Sequence, residues 1–122
     1  MRLKRGLIVK ANLGQARSNS IQAGIRPVVI VSNNRCNNHS QVISVVPLTS
    51  KVDEKKPLPT HVLLKVDEQD GLKKDSLALC EQVTLLPVAD IINSRYGQVT
   101  ESSMAEITKA LQVQLGIFDE YN

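Results

Sequence analysis

The residues best suited to chemistry lie at the ends of two predicted strands. Arg26 comes directly before Pro27 and the apolar run that follows it, and Thr49 and Ser50 come directly after a second apolar run. Because a residue before proline favours extended backbone, the guanidinium of Arg26 is expected at the mouth of a strand. If the two strands are neighbours, an arginine and two hydroxyl groups converge on one small anion. Arginine carries planar donors that match a phosphate and stabilise charge developing on it.

Spacing alone favours a simpler interpretation, in which Arg26 pairs with a surface carboxylate and Thr49 only ends a strand. Patterns typical of phosphate loops, dinucleotide-binding sites, serine triads and nucleophilic cysteines are missing from the sequence. Cys36 and His39 form a single C-x-x-H without a second pair of ligands, whereas zinc needs three or four protein ligands. We therefore expect neither a metal nor another cofactor.

The charged residues are unevenly divided along the 122-residue chain. Residues 1–52 contain eight basic residues and no acid, whereas residues 53–122 contain seven basic residues and all twelve acids. A basic half is consistent with an anionic partner such as nucleic acid, although folding can also mix the halves into a salt-bridged surface. The three aromatic residues all lie in the second half: Tyr96, Phe118 and Tyr121. Phosphate and polar base contacts are thus expected to dominate over ring stacking.

Short strands separated by turns account for most of the sequence. Five apolar or β-branched runs are predicted as strands over residues 6–13, 27–33, 42–48, 61–66 and 77–86. The asparagine-rich segment 33–40 and the charged segment 51–59 are predicted as loops, and residues 89–93 as a short helix or turn. Pro47 is expected at a sheet edge or bulge. Strands of this length and spacing predict a small, strongly bent sheet or barrel.

A helical period begins near the C-terminus. Thr100 is a suitable N-cap, and Gly116 ends the pattern. The apolar residues recur at three- and four-residue steps: Met104, Ile107, Leu111 and Leu115. We expect this amphipathic helix to pack on the sheet, within one domain over residues 1–122. No apolar run approaches the roughly 18 residues of a membrane helix, and no secretion signal is evident, so we expect a soluble cytoplasmic protein.

Six segments of the chain, in order and spacing, resemble the MazF/PemK family of toxin endoribonucleases. They are KRG (4–6), SIQAGIRPVVIVSN (20–33), PLTSK (47–51), LPTHV (58–62), GLKKDSLALCEQV (71–83) and QLG (114–116). The resemblance implies a mainly β fold with a C-terminal α-helix, built as an SH3-like barrel. It also implies a homodimer, a cognate antitoxin protein as partner, and sequence-selective, metal-independent cleavage of single-stranded RNA such as mRNA. In this reaction a 2′-hydroxyl attacks the adjacent phosphate and leaves a 2′,3′-cyclic phosphate and a 5′-hydroxyl.

By position, the resemblance assigns the catalytic roles to Arg26 and Thr49. Arg26 would stabilise the phosphorane and is the candidate proton donor to the leaving oxygen, and Thr49 would donate a hydrogen bond to a non-bridging oxygen. Four residues at positions that line the family's RNA groove are assigned substrate contacts: Gln22, Ser50, Glu81 and Gln82. Glutamine and glutamate side chains can read base edges, which suits a chain with few aromatic rings.

Three positions depart from the family's pattern. Leu7 stands where an acid usually follows the opening RG, Ile21 replaces the glutamate of an S-E-Q loop, and Thr84 replaces an arginine. His39 is a minor candidate for the missing base, whereas His61, inside LPTHV, is expected to have a structural role.

Two alternatives to the nuclease remain open on the sequence. One is a relative that binds antitoxin or RNA without cleaving it, which the changes at Ile21 and Thr84 motivate. The other is a toxin of the same fold that inhibits a protein such as a topoisomerase. The Arg26 and Thr49 pair favours the nuclease, because an inhibitor of a protein target has no need of it.

Overall fold

Seven strands and two helices form the fold in the computed structural model, which describes residues 2–54 and 58–117. Their bounds, in chain order, are β1 Leu7–Asn12, β2 Ile25–Ile30, α1 Asn34–His39, β3 Val42–Thr49, β4 His61–Leu64, β5 Ser76–Leu79, β6 Thr84–Pro87, β7 Ile91–Gln98 and α2 Glu101–Gln114. Part of the loop predicted over residues 51–59, namely residues 55–57, lies outside the described ranges, as do Phe118 and Tyr121.

β3 is the central strand, because it pairs with three others. β2 lies along one side of it, with Val28 opposite Pro47 and Ile30 opposite Val45. On the other side, β6 pairs with residues 42–45, and β5 pairs with residues 48 and 49. Pro47 therefore lies inside the central strand and not at an edge of the sheet, at the break where pairing along one side of β3 passes from β6 to β5. The missing N–H of proline is tolerated because neither β5 nor β6 pairs with this residue.

The strands follow the order β4–β5–β3–β2–β1–β7, with β6 beside the first half of β3. The two outer strands, β4 and β7, do not pair with each other. Asp70, in the connection between β4 and β5, forms an isolated bridge to Gln98 of β7, and the Gln98 N–H donates to the Asp70 carbonyl at 2.9 Å. The fold is thus mainly β with a C-terminal helix, as predicted, and its bent sheet is barrel-like without being closed strand to strand.

The central strands are buried on both faces. Val29 of β2 packs in one cluster with Val46 and with Ile107 of α2, whereas Val28 and Ile30 pack in a second cluster on the opposite face. All five side chains are fully buried, and each such burial stabilises the fold by roughly 1.5–3 kcal/mol. The buried middle parts of β2 and β3 therefore hold the ends of these strands in fixed positions.

α2 confirms the predicted C-terminal helix. The Thr100 hydroxyl caps it by accepting a hydrogen bond from the Ser103 N–H at 3.2 Å. Ile107 and Ala110 are buried against the sheet, whereas Leu115 lies beyond the helix and is 64% exposed, so its predicted place in the apolar stripe is wrong. In the described ranges, neither helix has the length and apolar character needed to cross a membrane.

The asparagine-rich segment forms α1, where the sequence predicts a loop. The Asn33 side chain caps the helix by accepting from the Cys36 N–H at 2.8 Å. Asn37 is buried and donates to the Ser32 carbonyl at 2.8 Å. Asparagine has low intrinsic helix propensity, but capping and a buried amide override this preference here.

The second half of the sheet also differs from the prediction. The strand expected over residues 77–86 is two strands, β5 and β6, because Cys80–Gln82 form a 3₁₀ turn between them. The helix or turn expected over residues 89–93 is a 3₁₀ turn over Val88–Asp90, followed by β7. β7 was not predicted, because after its first two residues its sequence IINSRYGQ is polar and lacks the longer apolar run that identifies a buried strand.

Candidate active site

Arg26 and Thr49 meet at one end of the β2–β3 pair, as the sequence predicts. Val28 pairs with Pro47, so the same antiparallel register extended by two residues sets Arg26 opposite Thr49. Both side chains line a cavity of about 390 Å³, which Ser50 also lines. We refer to this cavity as the Arg26 pocket.

The guanidinium of Arg26 is held by neutral acceptors. Its Nε donates to the Ala23 carbonyl at 3.0 Å, and Nη1 donates to the Leu48 carbonyl at 3.5 Å and to the Gln22 Oε1. Among the described residues, Arg26 pairs with no carboxylate and its Nη2 makes no hydrogen bond. Within the described residues, the structure therefore gives no support to the simpler interpretation of Arg26 as half of a surface ion pair. Partial burial lowers the pKa of Arg26 below its usual value.

Thr49 is the last residue of β3, and it is 5% exposed. Its Oγ1 accepts a hydrogen bond from the Lys51 N–H at 3.2 Å. A hydroxyl accepts and donates at once, so this contact leaves the Thr49 hydrogen able to reach a ligand oxygen. The Thr49 hydroxyl is therefore chemically able to donate to a ligand in the Arg26 pocket.

The Arg26 pocket is strongly basic. Three lysines line it together with Arg26: Lys51, Lys73 and Lys74. No Asp or Glu is among its described lining residues, and Tyr96 of β7 completes one wall. Sequence reasoning assigned no role to Lys73, Lys74 or Tyr96, because only the register of an unpredicted strand places Tyr96 here. The segment GLKKDS within the resemblance to the MazF/PemK family was the available signal for the two lysines.

The remaining predicted contacts lie in a second cavity of about 380 Å³, which we call the Glu81 pocket. Gln22, Glu81 and Gln82 line it, so the structure divides the predicted residues between two neighbouring pockets. Gln22 connects them: its side chain accepts from Arg26, and its backbone N–H donates to the Gln82 Oε1 at 2.8 Å. Gln82 in turn donates to the Ser20 carbonyl at 2.9 Å.

The Glu81 carboxylate is held in place by hydrogen bonds with two residues near the start of β4. The Thr60 hydroxyl donates to its Oε1 at 3.1 Å, and the His61 Nε2 lies 2.9 Å from its Oε2. The His61 side chain is 7% exposed, compared with 26% for Glu81. His61 thus has the structural role expected of it, and it positions a carboxylate that faces the Glu81 pocket.

The residues that depart from the family's pattern have different surroundings. Ile21, 45% exposed, and Thr84 both line the Glu81 pocket, so these changes affect that pocket directly. Leu7 packs against the second core cluster instead. His39 ends α1, at the opposite end of β3 from Thr49. Because a strand rises about 3.3 Å per residue, the two ends of β3 lie roughly 20 Å apart along the strand, so His39 is placed away from the Arg26 pocket.

The two cysteines are separated in the fold. Cys36 lies in α1, and Cys80 is buried beside Glu81. Burial, reinforced by the Glu81 carboxylate, raises the pKa of Cys80 to about 12. In the part of the chain that the structure describes, no three His, Cys, Asp or Glu side chains are grouped so as to hold a metal ion.

Residues 4–115 match a protein family described as PemK-like, MazF-like toxins of type II toxin–antitoxin systems. Two relatives are similar over almost their full length. The chain is 33% identical over 121 residues to the endoribonuclease MazF of Staphylococcus epidermidis, covering 98% of each protein. It is 31% identical over 115 residues to the endoribonuclease MazF of Staphylococcus saprophyticus, covering 94% of this chain and 92% of the relative.

Two solved structures have folds similar to that of this chain. An endoribonuclease in complex with its cognate antitoxin, from a mycobacterial species, has a TM-score of 0.76 at 27% identity, covering 95% of this chain and 97% of that one. MazF from Deinococcus radiodurans has a TM-score of 0.78 at 20% identity, covering 95% and 98% of the two chains. The second likeness supports the fold alone.

Proposed function

We propose that the protein cleaves single-stranded RNA at the Arg26 pocket. The chain belongs to the family of PemK-like, MazF-like toxins of type II toxin–antitoxin systems and is an endoribonuclease. The observation that carries this assignment of the site is the meeting of Arg26 with the buried Thr49 in a cavity lined by three lysines. A cation that pairs with no carboxylate in the described chain, beside a hydroxyl, is suited to hold a phosphodiester.

In the proposed reaction, the 2′-oxygen of a ribose forms a bond to the adjacent phosphorus as the bond from phosphorus to the 5′-oxygen breaks. The 2′-hydroxyl loses a proton and the leaving 5′-oxygen gains one, so the step consumes no water. The products are a 2′,3′-cyclic phosphate and a 5′-hydroxyl.

Negative charge grows on the non-bridging oxygens during this reaction, and the two catalytic side chains act on it. Arg26 contributes a fixed cation, and its Nη2 is the nitrogen left for the phosphate. Thr49 donates its hydroxyl hydrogen to a non-bridging oxygen. The lowered pKa of Arg26 is the direction that favours proton donation to the 5′-oxygen.

The Glu81 pocket is proposed to select the bases that flank the cut. Gln22, Glu81 and Gln82 offer amide and carboxylate groups for base edges, and Ser50 contacts the strand within the Arg26 pocket. Ile21 and Thr84 line the same Glu81 pocket, so we expect its sequence preference to differ from that of relatives with Glu and Arg at these positions.

A cognate antitoxin is the protein partner, and we propose that an acidic segment of the antitoxin occupies the basic Arg26 pocket. We also propose that the toxin is a homodimer and that it acts on mRNA in the cytoplasm. The mycobacterial neighbour in complex with its antitoxin supports the partner. Binding of such a segment should weaken as salt rises, and binding insensitive to salt would contradict the electrostatic part of the proposal.

The test of the nuclease is an incubation of the purified protein with mixed single-stranded RNA and a chelator, followed by analysis of fragment ends. We expect cleavage at a short preferred sequence with cyclic phosphate and 5′-hydroxyl ends. RNA that is bound but remains intact would identify a non-cleaving relative, the alternative that Ile21 and Thr84 motivate. Fragments with 5′-phosphate ends would contradict attack by the 2′-hydroxyl.

A further inference from the structure

One wall of the Arg26 pocket has no role in the cleavage step described above. Lys73 and Lys74 come from the connection between β4 and β5, and Tyr96 comes from β7. Both lysines are exposed, and neither forms an ion pair within residues 2–54 and 58–117. The Tyr96 ring packs partly against the core, and its hydroxyl makes no hydrogen bond with any described residue. The wall therefore offers two cations and one ring edge or face that the fold itself leaves unused.

The segment that carries the two lysines is fixed to the rest of the molecule at three successive residues. Gln69 is 3% exposed, donates to the Ser103 hydroxyl at 2.9 Å and accepts from the Thr100 N–H at 2.8 Å. Asp70 forms the bridge to Gln98 of β7. Two residues before the first lysine, Gly71 lies against the backbone of Tyr96.

The approach at Gly71 is too close for any side chain. Gly71 has φ +93°, and a Cβ built there would lie 2.2 Å from the Tyr96 carbonyl oxygen. The lysines and Tyr96 are therefore held at a fixed separation by backbone, although they are distant in sequence. The backbone of this wall is thus positioned before a ligand binds, and only the side chains of the two lysines remain to be ordered.

The size and charge of the pocket indicate what the wall binds. At about 390 Å³, the cavity falls within the range that encloses small-molecule ligands, so it has room beyond the scissile phosphate. Single-stranded RNA presents a further phosphate and a further base at each step along the strand. Lysine ammonium groups bind phosphates as point charges, and aromatic rings stack on bases.

We propose that Lys73, Lys74 and Tyr96 form a second RNA subsite, in which the lysines bind a phosphate next to the scissile one and Tyr96 contacts the adjoining nucleoside. The proposal rests on the assignment of the Arg26 pocket as the cleavage site. It makes these residues binding residues for the flanking strand, and it gives RNA a stacking surface that the basic half of the sequence lacks.

The test measures binding of RNA whose 2′-hydroxyls are all methylated, because this RNA cannot undergo the cleavage step. Affinity is measured over a range of salt concentrations for the parent, for the double variant Lys73→Gln/Lys74→Gln, and for the charge-matched control Lys10→Gln/Lys65→Gln. Lys10 and Lys65 are exposed and line neither the Arg26 pocket nor the Glu81 pocket. For single-stranded RNA, the slope of log affinity against log salt should fall by about 0.7 for each phosphate that the protein no longer neutralises. We expect that decrease in the Lys73/Lys74 variant and less than half of it in the control.

The role of Tyr96 is tested on the same RNA. Tyr96→Leu should weaken binding by about 5- to 100-fold, whereas Tyr96→Phe, which keeps the ring, should stay within about 3-fold of the parent. Circular dichroism and a denaturation curve confirm that each variant is folded. Equal affinities for the Leu and Phe variants would overturn the assignment of Tyr96.

Equal salt slopes for the Lys73/Lys74 variant and its control would overturn the phosphate subsite, even if the parent cleaves unmethylated RNA. Conversely, a parent that cleaves no RNA but shows the expected slopes would contradict the proposed function and leave the subsite standing. The two failures are therefore distinguishable.

Discussion

The guanidinium of Arg26 is fixed by acceptors from two segments of the chain, the loop before β2 and the end of β3. A donor held in this way needs no reorientation when charge develops on a phosphate. Interactions that strengthen in the transition state raise the rate of the chemical step, whereas interactions equal in both states only improve binding. Arg26 is therefore expected to affect rate more than affinity.

Replacement of Arg26 by alanine should lower the single-turnover rate of RNA cleavage by about 10²–10³-fold, or roughly 3–4 kcal/mol, with a much smaller decrease in RNA affinity. Thr49→Ala should act in the same direction but more weakly, because a neutral hydroxyl stabilises charge less than a cation does. Rates and affinities are measured on one oligonucleotide that contains the preferred site.

Arg35→Ala is the matched control for this prediction. Arg35 is an exposed arginine of α1, at the end of the β2–β3 pair opposite to Arg26. The Arg35→Ala variant should cleave RNA at a rate within about 2-fold of the parent, because surface substitutions away from a site usually have small effects. If Arg26→Ala cleaves as fast as the parent, the catalytic site has been misplaced.

The two thiols should differ sharply in reactivity. Burial and the neighbouring Glu81 carboxylate raise the pKa of Cys80 to about 12, so at pH 8 only about one molecule in 10⁴ carries the reactive thiolate. We expect alkylation of the folded protein at pH 8 to modify Cys36 rapidly and Cys80 only after unfolding. Peptide mass mapping assigns the modified residue, and a Cys36→Ser variant should show no rapid reaction.

The raised pKa of Cys80 also makes the stability of the fold depend on pH in the alkaline range. The thiol ionises near its ordinary value of 9.0 in the unfolded chain but only near 12 in the fold. The unfolded state thus binds fewer protons above pH 9, and the contribution of Cys80 to stability is lost as pH rises from about 9 towards 12.

The sequence was informative about Arg26 and Thr49 because successive β-branched runs commonly pair as antiparallel neighbours, which brings the start of one to the end of the next. It could not place Tyr96 in the same pocket, since that depends on β7 and on a bridge between residues far apart in the chain. The sequence also offered no indication that Gln22 and Gln82 line one pocket and Ser50 another. Gln82 lies in the turn over Cys80–Gln82, which interrupts an apparently continuous strand and places this residue in the Glu81 pocket.

At the scale of elements, the connection between β4 and β5 is fitted closely against β7. Gly71 approaches the Tyr96 carbonyl, and Gly97 approaches the Asp70 carbonyl, at 2.2 Å and 2.4 Å from the Cβ atoms that alanine would add. Each glycine thus makes room for the backbone of the opposite segment. The lysine wall of the Arg26 pocket depends on both.

Gly71→Ala should therefore destabilise the fold more than Gly24→Ala. Both glycines have positive φ, +93° and +74°, so alanine suffers the same kind of backbone strain of about 1–2 kcal/mol at each. Only at Gly71 does the new methyl group also meet backbone atoms, whereas nothing lies within 4 Å at Gly24. Urea denaturation of the parent and both variants measures the difference.

Gly71→Ala should also weaken RNA binding, because separation from Tyr96 displaces Lys73 and Lys74. Equal stability of the two variants would show that the connection can shift at no cost. The close approach would then not be what positions the lysines.

The elements that sequence reasoning identified are those whose stabilising interactions are local or apolar. α2 has a hydroxyl cap and a periodic apolar face, and β2 has a continuous β-branched run. α1 depends on Asn33 and the buried Asn37, residues that ordinarily favour turns. β7 is held chiefly by pairing with β1, a long-range interaction that leaves little trace in its own composition.

At the scale of the whole molecule, outer strands and exposed apolar side chains indicate association. β4 and β6 each pair with one strand only, and three apolar side chains are largely exposed: Leu85, Ile92 and Ile117, at 71%, 55% and 66%. Open edges and apolar surface are normally covered in a stable protein. Sedimentation equilibrium at micromolar concentration should therefore give about twice the chain mass of 13.4 kDa. A species of 13.4 kDa that persists at tens of micromolar would contradict the homodimer.

β3 runs through the middle of the fold, paired with β2 along one side and with β5 and β6 along the other. Its amide hydrogens are therefore expected to exchange with solvent only when the entire protein unfolds, since no smaller opening separates the strand from all its partners. Thr49 is the last residue of that strand, so the candidate catalytic site remains assembled for as long as the fold itself survives. Heat or urea should accordingly abolish cleavage in the same transition that removes the secondary structure, without a folded, inactive intermediate.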